Sequence, residues 1–157
     1  MLKSLFMPVV LIAGSVQAAD LQGCFSTEDL ITSFGDGQSE MKQSYINIVK
    51  QGDDYLVDAL LWGANYHICG VGDPTEGADP APLKMHKVGD KLVYEKQEPE
   101  YGISCKLELS VQDEMVNISD ENYHCGQYIF SCGARVGLHN VELPSTPDQC
   151  HSSNASN

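Results

Sequence analysis

Six cysteines constrain this chain more than any other feature: Cys24, Cys69, Cys105, Cys125, Cys132 and Cys150. They follow residues 1–19, MLKSLFMPVVLIAGSVQAA, which have the form of a cleaved secretory signal peptide. Lys3 supplies the positive start, an apolar run broken by Pro8 follows, and small residues close the segment. The run is short of the roughly 20 apolar residues a spanning helix needs, and no later stretch is apolar enough to enter a bilayer. The expected mature chain is exported, with the periplasm as the first location and the extracellular space as the second. In an oxidising compartment an even cysteine count implies a disulfide framework. Spacing offers Cys105 to Cys125 across a hairpin, or Cys125 to Cys132 around a small loop, with Cys150 stapling the tail. The remaining pairing stays open. No Cys-x-x-Cys occurs, so zinc knuckles and thioredoxin-like redox chemistry lack their ligands.

A framework of this kind suits short strands, and the pattern of side chains agrees. Residues 45–49 alternate, residues 51–54 (QGDD) turn, and 55–62 run on with β-branched and aromatic side chains. Gly89-Asp90 separates 83–88 from 91–95 as a second hairpin. Cys105, Leu107, Leu109 and Val111 alternate with Lys106, Glu108 and Ser110, and 115–119 return after a turn at 112–114. A short strand is expected at 66–69, and a last one over 135–143, ended by Pro144 and Pro147. Ser26 with Asp29 has the form of a capping box, which allows at most one short helix near 26–34. The expected fold is all-β: one domain over 20–150, an antiparallel β-sandwich or partly open barrel of about seven or eight short strands. Residues 151–157 are expected to form a frayed tail.

Charge narrows the partners. Lys and Arg number 9 against 22 Asp and Glu, a formal net charge of −13. Phosphate recognition needs clustered cations, so nucleic acid and anionic membranes are poor partners. No Gly-x-Ser-x-Gly, His-Glu-x-x-His, phosphate loop or dinucleotide fingerprint is present, so no enzyme and no cofactor are expected. Residues 70–82 (GVGDPTEGADPAP) form an acidic connection with no basic residue. Asp73, Glu76 and Asp79 within it offer a minor Ca²⁺ reading, against which stand the missing EF-hand spacing and the stiffness of Pro74 and Pro80. His86 reads as exposed and His139 as structural within a strand.

A leader, an all-β pattern, several cysteines and an acidic surface together resemble the small periplasmic proteins that inhibit muramidases, namely lysozyme inhibitors and immunity proteins against secreted cell-wall-degrading effectors. The stretches YHCG at 123–126 and CGAR at 132–135 are similar to those of such exported proteins. The resemblance implies a basic peptidoglycan hydrolase as partner and occlusion of its cleft by a loop. Asp73, Glu76 and Asp79 are the first candidate contact group, and the 34–40 loop with Asp36 is the second. The alternative is a carbohydrate- or calcium-assisted ligand-binding module, with Trp62 and Tyr66 as a stacking platform. A third class is a structural or adhesive envelope protein.

Overall fold

Alternation along the strands builds the core. In β3 (Asp54–Trp62), Tyr55, Val57, Ala59 and Leu61 point inward while their neighbours face out. In β7 (Ile103–Gln112), Cys105, Leu107 and Leu109 do the same. The other strands are β1 (Gly23–Thr32), β2 (Ser39–Gln51), β4 (Ile68–Val71), β5 (Leu83–Val88), β6 (Lys91–Glu98), β8 (Met115–Ser119) and β9 (Val141–Pro144). The computed structural model describes residues 21–73, 81–130, 132–147 and 150; the leader, Glu76, Asp79 and the 151–157 tail lie outside them.

Every strand pair is antiparallel, in the order β1-β2-β3-β5-β6-β7-β8-β9. This meander curls until its two edges meet, so the structure selects the partly open barrel over the sandwich. Phe25 bridges to Ser145, and the Thr146 N–H donates to the Cys24 carbonyl at 2.8 Å. The Ser26 and Thr146 hydroxyls lie 2.8 Å apart at the same seam. The interior holds Ile46, Ile48, Val57, Met85, Leu92, Leu107, Leu109, Val116 and Ile118. The β7–β8 turn places Asp113 and Glu114 at φ 50° and 62°. That is the primed geometry whose twist matches its strands.

β3 shares its far edge between two strands. Residues 54–57 pair with β5 and 59–62 with β4. β4 and β5 therefore run along one line, which the chain leaves after Val71 and rejoins at Leu83. The Asp73 N–H donates to the Ala81 carbonyl at 2.6 Å, drawing the two ends of this excursion together.

Three disulfides lock the barrel: Cys24–Cys150, Cys69–Cys132 and Cys105–Cys125. They mark an oxidising, extracytoplasmic environment. The Cys105–Cys125 pairing is as expected across the hairpin, and Cys125–Cys132 is not formed. No helix among the described residues is long and apolar enough to cross a membrane.

Two local expectations are corrected. Residues 26–34 form no helix; β1 occupies 23–32 and pairs with β2 at ten positions. A cap is worth about 1 kcal/mol, whereas each cross-strand pair contributes roughly 0.2–1 kcal/mol, so the ladder wins. The Ser26 hydroxyl accepts from Gln43 Nε2 at 3.1 Å instead of capping. The last strand is also shorter than expected: 135–140 are irregular, and β9 starts at Val141. His139 thus lies outside any strand, with its ring edge-to-face on Tyr123.

The Cys24–Cys150 bond spans 126 residues and staples the seam. Replacing both cysteines by serine is expected to lower the unfolding free energy by about 4 kcal/mol, as read from urea melts. A change under about 1 kcal/mol would show that the seam does not depend on it.

Candidate functional site

The β1–β2 pair outruns the barrel. Its pairing continues to Thr32 opposite Ser39, while β3 meets β2 only from Tyr45 onward. Residues 27–32 and 39–44 therefore form a two-stranded ribbon, about 20 Å long at 3.4 Å per residue. Directly opposed residues share a face. One face carries Leu30 against Met41, 63% and 57% exposed. The other carries Ile31, which is buried, and Lys42.

The tip is internally bonded. Ser33 N–H donates to the Gln38 carbonyl at 2.8 Å, and Gly37 N–H to the Ser33 carbonyl at 3.1 Å. Asp36 accepts the Gln38 N–H at 3.1 Å, and that bond, followed by Ser33, holds its carboxyl below the usual range. Phe34 stands at the tip, 61% exposed. Its N–H donates to Asn65 Oδ1 at 2.8 Å, and the Arg135 guanidinium stacks on its ring at 4.6 Å.

Behind the ribbon sits the connection from β3 to β4. Asn65 and Tyr66 both have φ of 58°, a conformation that side chains resist. Neighbouring segments clamp it. Gly63 N–H donates to the His67 carbonyl at 2.8 Å, and Gly133 N–H to the Ile68 carbonyl at 3.1 Å. The Cys69–Cys132 disulfide ties the same two segments. Trp62 and Tyr66 meet edge-to-face, but Lys42 Nζ lies over both rings at 5.2 and 5.6 Å. The protein's own cation therefore covers one face of each ring.

The candidate carboxylates are thus separated. Asp36 lies on the ribbon tip, and Asp73 lies on the far edge of β3, with β2 and β3 between them. The bond to Glu98 raises the Lys96 ammonium and burial raises the Tyr94 hydroxyl, with the charge of Asp73 adding a smaller push to each. Among the described residues no group of three or more His, Cys, Asp or Glu side chains is placed to hold a metal; Glu76 and Asp79 fall outside that description.

Cations cluster elsewhere. An open groove of about 590 Å³ on the outer face of β5, β6 and β7 is lined by Lys84, His86, Lys91 and Lys106 around Val88 and Val93. His86 is exposed there, as expected from its neighbours. Each lysine there has an internal carboxylate partner, and His86 shares one of them. Lys84 and His86 hold Asp54 at 2.6 and 2.7 Å, and Lys106 and Lys91 hold Glu108 at 2.7 and 2.8 Å. Lys42 pairs with Glu40, and Lys96 with Glu98. Of the described lysines only Lys50 and Lys87 form no ion pair with a described residue.

A second cavity, about 410 Å³, lies between 132–138 and the π-helical turn Cys125–Ile129. Asp120 beside it is buried and accepts the N–H groups of Cys125 at 3.2 Å and Gly126 at 2.8 Å, which fixes the turn. Burial raises Asp58, and burial with the Asp58 charge pushes Tyr45, which donates to it at 3.3 Å, up to about 12.

Sequence reasoning ranked the ribbon tip second and overlooked Leu30, Met41 and the Lys42 cover. The signal for Leu30 and Met41 was a pair of apolar residues among Glu28, Asp29, Glu40 and Lys42. Set against protein-family models, curated proteins and solved structures, the chain matches none.

Two outcomes are expected. Lys106 and then Lys91 hold Glu108 below its ordinary value of 4.5. A depressed folded value gives stability that is complete above the unfolded pKa and is lost as pH falls through the folded one. Glu108→Gln should therefore cost stability at neutral pH, and its urea midpoint should converge on the parent's as pH drops below 4.5; a gap constant with pH would refute this. At Gly63 a Cβ would collide with the Arg135 carbonyl oxygen and Val136. Gly63→Ala should cost about 1–3 kcal/mol in the same melts, and a neutral result would show that the clamp yields.

Proposed function

We propose that this is an exported acidic binding protein that inhibits a basic peptidoglycan hydrolase, of the muramidase or secreted-effector kind, by occluding its cleft in the bacterial periplasm. One observation carries the reading: five lysines are neutralised by the protein's own carboxylates, so the charge left facing outward is overwhelmingly negative. Such a surface steers a cationic partner and speeds encounter. A barrel closed by disulfides presents its loops pre-ordered, which reduces the entropy lost on binding. The resemblance to small periplasmic muramidase inhibitors points the same way. Lys42, seated over Trp62 and Tyr66, weighs against the sugar-stacking alternative.

The test is a binding titration of the oxidised protein against lysozyme and a panel of secreted peptidoglycan hydrolases, with a lysis assay on each. Binding is expected to block lysis and to weaken several-fold between about 0.01 M and 0.15 M salt, where the screening length shrinks from about 30 to 8 Å. No binding even at the low ionic strength would reject the reading.

A further inference from the structure

We propose that the β1–β2 ribbon is the element that enters the partner's cleft, with Phe34, Leu30 and Met41 as apolar anchors and Glu28, Asp29 and Asp36 facing cations on its walls. The assignment rests on the hydrolase-inhibitor reading and names the surface that would perform it.

Geometry comes first. Two parts of the described sheet have strands that pair only with each other, this ribbon and residues 94–98 with 103–107, and the second is tied to the π-helical turn by Cys105–Cys125. A two-stranded ribbon is narrow, with strands about 4.8 Å apart, and suits a groove made for an extended polymer. Its tip is already ordered. The turn is closed by its own hydrogen bonds, Asn65 holds the Phe34 amide, and Arg135 stacks on the ring. Little side-chain freedom remains to be lost on docking.

Chemistry comes second. Binding energy concentrates in a few central apolar or aromatic anchors, while charges at the rim set approach and selectivity. The ribbon has both. Phe34 is 61% exposed, and Leu30 and Met41, 63% and 57% exposed, stand directly opposed on the same ribbon. Glu28 and Asp29 are exposed and form no ion pair with a described residue. Lys42, which stands opposite Asp29, is taken by Glu40 at 2.6 Å. This surface fits a cleft with cationic walls and an apolar floor. The carboxylates of Glu28 and Asp29 also guard the unpaired edge of β1 against strand addition, so the occupant is a cleft rather than a β-strand. Residues 73–81, by contrast, read DPTEGADPA and contain no large apolar side chain, so they supply steering without an anchor.

The experiment uses the full oxidised chain, with lysozyme and the hydrolase panel as probes. Phe34→Ala should weaken binding at least tenfold, and Leu30→Ser with Met41→Ser by a similar factor, both through faster dissociation. Glu28→Gln with Asp29→Asn should slow association at low salt and leave dissociation unchanged. A chain with Asp73, Glu76 and Asp79 all changed to Ala should lose less than threefold. All these positions are on the surface or outside the described core, and the melting temperature of each variant checks its folding. As a measurement independent of any substitution, hydrogen exchange across 27–41 in the parent chain should slow in the complex. If the parent binds, but the ribbon variants bind equally well or exchange across 27–41 is unchanged, the ribbon assignment falls while the inhibitor reading stands. If the parent binds no hydrolase, the inhibitor reading falls and takes the assignment with it.

Discussion

A curled sheet of eight successive strands has two edges, and this one holds its shape only where they meet. The seam between β1 and β9 is thin: the Phe25–Ser145 bridge, the Thr146 N–H on the Cys24 carbonyl, and the Ser26–Thr146 hydroxyl pair. Unpaired edges expose backbone donors and acceptors and invite association with other chains. An open seam would also wet Phe25 and the side chains it covers, including Ile46 across the ladder. The Cys24–Cys150 bond reinforces this place covalently, joining the two ends of the fold across 126 residues.

The other two disulfides act at the opposite end of the strands. Cys105–Cys125 fixes the start of the π-helical turn beside β7, and Cys69–Cys132 ties the 132–138 segment to β4. Together they hold irregular backbone that has little regular hydrogen bonding of its own. The strained Asn65–Tyr66 pair persists because Gly63, Gly133 and the disulfide surround it. Local strain of this kind survives only where neighbours over-determine it. Its product is a stiff support for the ribbon tip, through the Asn65 bond to Phe34 and the Arg135 stack.

Electrostatics follow from the same economy of cations. A chain with net charge −13 repels itself, and folding spends its lysines on bridging carboxylates. Glu108 holds two lysines and Asp54 holds Lys84 on the outer face of the barrel, so the lysines of that groove are matched by carboxylates. Elsewhere Glu28 and Asp29 face outward without such partners. The proposed function rests on this asymmetry: attraction by unpaired carboxylates, and anchoring by apolar residues set among them.

Much of the barrel was legible in the residues. The hairpins at 45–62, 83–95 and 105–119 follow from alternation and turn residues, because a strand with one buried face must repeat every two positions. An extracytoplasmic setting and an all-β fold come from equally local signals, and Cys105–Cys125 is one of the two local pairings that spacing left open. Other features needed the folded chain. The capping signal at Ser26 lost to a ten-position ladder, since a local preference of about 1 kcal/mol yields to long-range pairing. The Cys24–Cys150 and Cys69–Cys132 bonds join residues 126 and 63 apart, a choice made by barrel closure and not by spacing. Asp36 and Asp73 look alike as acidic loop residues, yet β2 and β3 stand between them. Trp62 and Tyr66 read as a platform until Lys42 is seen over them. The sequence by itself determined which residues turn inward and how much negative charge the chain carries, because both depend on neighbours along the chain. Tertiary structure alone decided which carboxylates are neutralised and which aromatics remain exposed, because those depend on what distant strands bring alongside.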